Sequence, residues 1–120
     1  MAEHNELGIR GEDIAASHLA AGSYSILEKN WRSGHLEVDI IARKGNQLII
    51  AEVKTRTRGF LETLTGTVNK RKQKLLIRAA NSYILKNDLD VDVRFDIITV
   101  IFEGDQYRIE HMENAFSAVG

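Results

Sequence analysis

The sequence predicts a three-layer α/β domain with a mixed central sheet, its elements in the order helix, three strands, helix, two strands. Three observations carry that reading. An apolar stripe at helical spacing opens the chain, two-residue hairpin turns stand at Gly45-Asn46 and Gly104-Asp105, and a long amphipathic helix separates the two hairpins. Strands joined by tight turns pair antiparallel, whereas strands joined through a helix pair in parallel by a right-handed crossover. Both kinds of connection are present, so the sheet is mixed.

Over residues 5–21 the apolar and small positions Leu7, Gly11, Ile14, Ala15, His18 and Leu19 recur at three and four, and Gly22 stands where a helix would end. Gly8 and Gly11 each cost such a helix about 1 kcal/mol relative to Ala. Both therefore predict a close approach to neighbouring backbone. Glu12, a turn after Gly8 and a turn before Ala15, points toward whatever this helix packs on.

A strand is predicted over 24–32, followed by a hairpin with arms at 36–43 and 47–55. On the first arm Leu36, Val38, Ile40 and Ala42 form one face, and Glu37, Asp39 and Ile41 the other. On the second arm Leu48 and Ile50 share a face with Glu52 and Lys54. Both faces are mostly apolar, as in a central strand covered on two sides. Residues 57–66 are a connection bearing Phe60, Leu61 and Leu64, either tucked against the core or meeting a partner. Over 67–86, Val68, Leu75, Leu76, Ala79, Ala80, Tyr83 and Ile84 mark an amphipathic helix whose first turns are basic. A strand over 91–102 and a return through Tyr107, Ile109 and His111 close the sheet.

One domain over 1–120 is what a chain of 120 residues can build around a single core. Hydrophobic content of 43% and charged content of 28% are ordinary for a globular protein, and no apolar run reaches the roughly 18 residues of a membrane span. The acidic opening Met-Ala-Glu-His-Asn-Glu is unlike a secretory signal, so the expected location is the cytoplasm and no membrane partner is expected. Cysteine is absent, which excludes disulfides, thiol catalysis and cysteine zinc sites. Only oxygen and imidazole ligands remain.

The net charge of −1 conceals an asymmetry. Residues 54–78 carry eight basic side chains against Glu62 alone, a surplus of seven, which leaves −8 on the rest. Arg56, Arg58, Lys70, Arg71, Lys72 and Lys74 in this block are candidates to grip the phosphates of a nucleic acid. A solvated helix face is the plainer explanation of a charge run.

The Gly45-Asn46 turn places Lys44 opposite Gln47, and by the same register Asp39 opposite Glu52 and Glu37 opposite Lys54, all on one face. Facing carboxylates in an apolar hairpin cost stability unless a cation offsets them. Asp39 and Glu52 are thus the expected ligands of Mg²⁺ or Mn²⁺, with the Val53 carbonyl as a further oxygen. Lys54 would orient the attacking water or stabilise a phosphorane, and Glu12 and Glu37 would act in the outer sphere or on a second ion. The same charges could equally form a cross-strand ion-pair network. Trp31 and Tyr24 could stack bases but read as core, and His35 could ligate metal although all four histidines read as surface or packed residues. Arg94 and Asp96 are expected to pair with neighbours for structural reasons, with a phosphate as the alternative for Arg94.

Gly8-x-x-Gly11-Glu12, Ala15, Leu19, Gly22, Asn30-Trp31-Arg32, Glu37-x-Asp39, Glu52-Val53-Lys54-Thr55-Arg56, the lysine-rich helix start and Arg94-Phe95-Asp96 resemble the YraN family of predicted endonucleases across nearly the whole chain. That family is placed in the PD-(D/E)XK nuclease superfamily, with the archaeal Holliday-junction resolvases and many restriction enzymes. The resemblance implies a restriction-endonuclease-like αβββαβ core with a C-terminal hairpin. It also implies metal-dependent phosphodiester cleavage, with Asp39, Glu52 and Lys54 as the signature residues and Glu12 as the acid of the first helix. Val38 stands where the signature has Pro, and Leu36 where relatives tend to carry Gly.

The expected function is a divalent-metal-dependent endonuclease on structured or branched DNA, with DNA ahead of RNA as partner. A homodimer would suit a two-fold substrate. The alternative is a catalytically inactive nucleic-acid-binding module on the same core, and a weaker third reading is a scaffold whose basic stripe meets an acidic protein.

Overall fold

The computed structural model describes residues 2–57 and 68–118, with side chains from residue 6 onward. The elements are α1 (Ala2–Ala21), β1 (Ser25–Ser33), β2 (Leu36–Lys44), β3 (Gln47–Thr57), α2 (Lys70–Asn87), β4 (Asp92–Glu103) and β5 (Gln106–Phe116). They form the expected α/β architecture. The five strands lie in the order β1-β2-β3-β4-β5, with β3 and β4 parallel across α2 and the other neighbours antiparallel. The connection read over 57–66 falls, apart from Thr57, outside the described residues, as does Arg58. No helix among the described residues is long and apolar enough to cross a membrane.

Each helix covers one face. On the α1 side Ala15 and Leu19 pack with Ile40, Ala42, Ile49, Ala51, Ile98 and Val100. On the α2 side Leu76, Ala79, Ala80 and Tyr83 meet Val38, Ile41, Leu48, Ile50 and Phe95. Gly11 lets α1 approach β3 closely, because a Cβ built there would collide with Oγ1 of Thr55. Gly8 has no neighbour within 4 Å of such a Cβ, so the close approach expected at Gly8 is absent. α2 starts at Lys70, three residues later than the Thr67 of the sequence reading, and is capped by Asn69, whose side chain accepts the Lys72 N–H at 2.9 Å.

The Gly45-Asn46 turn sets the predicted register, with Lys44 opposite Gln47 and Ile40 opposite Ala51. There the ladder stops. Strict alternation would put Val38 on the α1 side with Ile40 and Ala42, yet Val38 and Leu36 pack on the α2 side. The strand changes face just past Asp39. β1 turns over at the same level: Lys29 pairs with Asp13 of α1, Trp31 two residues later packs on the α2 side, and Asn30 between them has φ +53°. A left-handed residue breaks the two-residue alternation, and Asn tolerates that conformation better than most side chains. Trp31 remains opposite Val38, so β1 and β2 reverse together and diverge from β3 as a pair.

Candidate active site

The divergence of β2 from β3 leaves the Val53 N–H without a strand partner, and the Asp39 side chain takes that place. Its Oδ2 accepts the Val53 N–H at 2.8 Å. Glu52, one residue earlier on β3, reaches Asp39 from the α2 side, and the two carboxyls interact directly. The predicted meeting of Asp39 and Glu52 therefore holds, although side chains make it and no ladder pair lies beneath it.

The surroundings raise both acids. Burial pushes Glu52 up to about 7, the charge of Asp39 adding to the rise while Lys72 and Lys54 oppose it. Burial also raises Asp39, partly offset by the Val53 N–H and by the positive charge of Lys72. The contact between the carboxyls raises Glu52 and lowers Asp39. Glu12 reaches the same locus from α1. Burial raises its carboxyl, the charge of Asp39 raises it further, and the Asn30 side chain hydrogen-bonds to it. The left-handed kink thus aims Asn30 at Glu12.

Glu37 departs from expectation. It lies opposite Arg32 on β1 and is paired with it at 2.8 Å, both side chains exposed, because β2 has already left β3 at that level. The expected pairing of Glu37 with Lys54 does not form a ladder rung. Lys54 keeps its electrostatic contact with Glu52. Arg56 is half-buried on β3, and its Nη1 donates to the Thr55 carbonyl at 2.9 Å.

The basic residues of α2 divide into two groups. Lys70, Arg71, Lys74 and Arg78 are exposed. Lys72 is four residues before Leu76 and so continues the sheet-facing stripe of Leu76, Ala79, Ala80 and Tyr83. Its Nζ stands 3.8 Å from Glu52 Oε1. Among the described residues no three His, Asp or Glu side chains form a metal-holding group, so the candidate ligand set is the two carboxylates plus backbone oxygen.

A profile of the uncharacterised protein family UPF0102 matches residues 11–100. The chain belongs to that family. It is 48% identical to a UPF0102 protein of Flavobacterium psychrophilum over 97% of its own length and 98% of the relative's. A UPF0102 protein of Bacteroides thetaiotaomicron is also 48% identical, over 97% and 96% of the two chains. One from Porphyromonas gingivalis is 45% identical over 97% and 87%. The resemblance to YraN proteins thus holds at the level of the family.

A second polar cluster of this UPF0102 chain lies on the α1 side. Arg94 donates from Nε and Nη2 to the two oxygens of Asp96 at 2.9 and 2.8 Å, His111 Nε2 lies 2.7 Å from Oδ2, and the Asn114 N–H donates to Oδ1. Nη2 of Arg94 also donates to Tyr24 Oη at 2.6 Å, and His18 Nε2 lies 3.1 Å from His111 Nδ1. The structural pairing expected of Arg94 and Asp96 is present, and they make it with each other. The contact between His18 and His111 went unread because 93 residues separate them. Trp31 packs edge-on against Tyr83, as a core aromatic should. Two members of the carboxylate site had no assigned place in it, Asn30 and Lys72. Lys72 was legible from its four-residue spacing to Leu76.

Proposed function

We propose that this protein is a divalent-metal-dependent nuclease of the PD-(D/E)XK type that hydrolyses phosphodiester bonds in DNA, with structured or branched DNA as the favoured substrate. The observation that carries the reading is the convergence of Asp39 and Glu52 in a half-buried gap of the sheet, where burial raises both acids and the charge of Asp39 raises Glu52 further. Such a pair is under-neutralised by its own surroundings and fits a hard cation. Mg²⁺ is commonly bound by one or two carboxylates with water and substrate phosphate as the other ligands, so a two-carboxylate set is sufficient.

Asp39 and Glu52 would hold the ion, and the Val53 carbonyl is a further candidate ligand. In an extended strand a residue's N–H and C=O point to the same side, and the Val53 N–H points at Asp39. Bound there, Mg²⁺ or Mn²⁺ would supply Lewis-acid polarisation of the phosphodiester and a more acidic water. Lys54, on the Glu52 face of β3, would orient that water or stabilise charge on the phosphorane oxygens. Glu12, steadied by Asn30, would act through the outer sphere.

Substrate binding falls to α2. Its first turn carries Lys70, Arg71 and Lys72 and no acid, at the helix end where the macrodipole disfavours cations by roughly 0.3–1 kcal/mol each. An external polyanion accounts for that arrangement. The test is a panel of linear, flapped and four-way DNA with Mg²⁺ or Mn²⁺, on which wild type cuts and Asp39→Asn, Glu52→Gln and Lys54→Met do not. Inactivity of wild type on every form, with salt-sensitive binding retained, would favour an inert DNA-binding module instead. A homodimer acting on two-fold substrates is part of the proposal, and light scattering with and without DNA tests it.

A further inference from the structure

We infer that Lys72 is an internal counter-ion of the Asp39/Glu52 site, holding the place of the divalent cation in the free protein and passing to a substrate phosphate when the cation binds. This rests on the nuclease reading above and adds a positioning residue that couples the metal site to the DNA-binding helix.

The placement supports it. Asn69 accepts the Lys72 N–H and fixes the start of α2, so the position of this residue above the sheet is set by the backbone. Lys72 is half-buried on the sheet-facing side of the helix, whereas Lys70, Arg71 and Lys74 are exposed. Its Nζ at 3.8 Å from Glu52 Oε1 is at ion-pair distance and beyond a hydrogen bond, and the same charge acts on Asp39. The side chain of Glu52 is 17% exposed, while that of Lys72 is 39% exposed, so one end of the pair can swing outward and the other cannot. A monovalent ammonium on a flexible stem is a weak competitor for two carboxylates. A divalent ion displaces it, and the released ammonium is one turn of α2 away from the exposed cations that meet phosphate.

Linkage then requires reciprocity: an ion that frees Lys72 tightens DNA binding, and DNA that draws Lys72 away tightens ion binding by the same factor. Phosphate attracts the cation directly as well, so the diagnostic is the part of the coupling that disappears without Lys72.

The experiment is calorimetric titration of Mn²⁺ into wild type, Lys72→Met and Lys72→Arg without DNA, then binding of a labelled four-way DNA with and without Ca²⁺. In Lys72→Met the Mn²⁺ affinity rises several-fold and the Ca²⁺ enhancement of DNA binding falls to a fraction of the wild-type factor. Lys72→Arg retains wild-type behaviour in both. A damaged fold would weaken ion binding, so a tightening is specific to loss of a competing charge. Mn²⁺ affinity in Lys72→Met equal to or below wild type overturns the counter-ion role and leaves the nuclease reading standing. Absence of Mn²⁺ binding by wild type removes both.

Discussion

The Val53 N–H donates to the Asp39 carboxylate at 2.8 Å in the gap where β2 leaves β3. Asp39 thereby does for β3 what the next carbonyl of β2 would have done. Asp39→Ala leaves that N–H without its acceptor, at a cost of about 1–3 kcal/mol, whereas Asp39→Asn keeps an acceptor oxygen. Both variants should lose cleavage. Urea unfolding should rank Asp39→Asn as the more stable; equal stabilities would mean that the bond to Val53 contributes nothing net.

Glu52 links stability to pH. Raised to about 7 from 4.5, chiefly by burial, it keeps a proton in the folded protein that the unfolded chain has released. Its contribution is fully present below about 4.5 and is lost as the pH climbs to about 7. In chelator, denaturation midpoints should therefore fall across that window, by an amount on the order of 1–3 kcal/mol. Glu52→Gln should flatten the profile.

The two glycines of α1 should respond oppositely to alanine. Gly8→Ala meets nothing within 4 Å and gains helix propensity, stabilising by about 0.5–1 kcal/mol. Gly11→Ala drives a methyl into the Thr55 hydroxyl and should destabilise by about 1–3 kcal/mol. Thr55→Ala in the same chain should recover much of that loss. Thermal denaturation of the four proteins forms a double-mutant cycle for the contact.

Neutralising exposed α2 cations should weaken DNA binding evenly across sequences. Arg71→Ala, Lys74→Ala and Arg78→Ala should each reduce the slope of log affinity against log salt by about 0.7–0.9 where the residue meets a phosphate. Fluorescence anisotropy at graded salt measures it. An unchanged slope in all three would move the DNA off this helix.

Asp96 should be the most costly acid to remove. Burial alone would raise it, but His111, Arg94 and the Asn114 N–H together hold it below the usual carboxylate range. Its stabilisation is present above the ordinary value of 3.8 and is lost as the pH falls through the lowered one. Asp96→Ala takes the bidentate partner from a guanidinium that is only 12% exposed and leaves it Glu113 and Tyr24, at a cost of about 3 kcal/mol. Guanidinium denaturation at neutral pH should show that loss, with Asp96→Asn milder.

Much of this architecture was readable in the chain because local chemistry dictated it. Gly45-Asn46 fixed the register through Ile40 and Ala51, and the stripe from Leu76 to Tyr83 fixed the buried face of α2. What escaped was non-local. Alternation along 36–42 presumes an uninterrupted strand, so it put Val38 on the wrong side and Glu37 across from Lys54. The change of face coincides with Asn30 on a neighbouring strand, in a backbone conformation that no hydrophobic pattern reports. Gly8 and Gly11 looked alike for a similar reason: only Gly11 lies over β3. Lys72 was grouped with the solvent-facing lysines by its charge although its spacing placed it with Leu76.

Asp39 is the sixth residue before Gly45, and Glu52 the sixth after Asn46. Because the two acids are brought together by counting outward from one bend, the length of each arm is under tighter constraint than the identity of any aliphatic side chain along it. Isoleucine, valine and leucine can trade places there at little cost. A single inserted or deleted residue in either arm would rotate one acid to the far surface and part the pair, even in a protein that still folded.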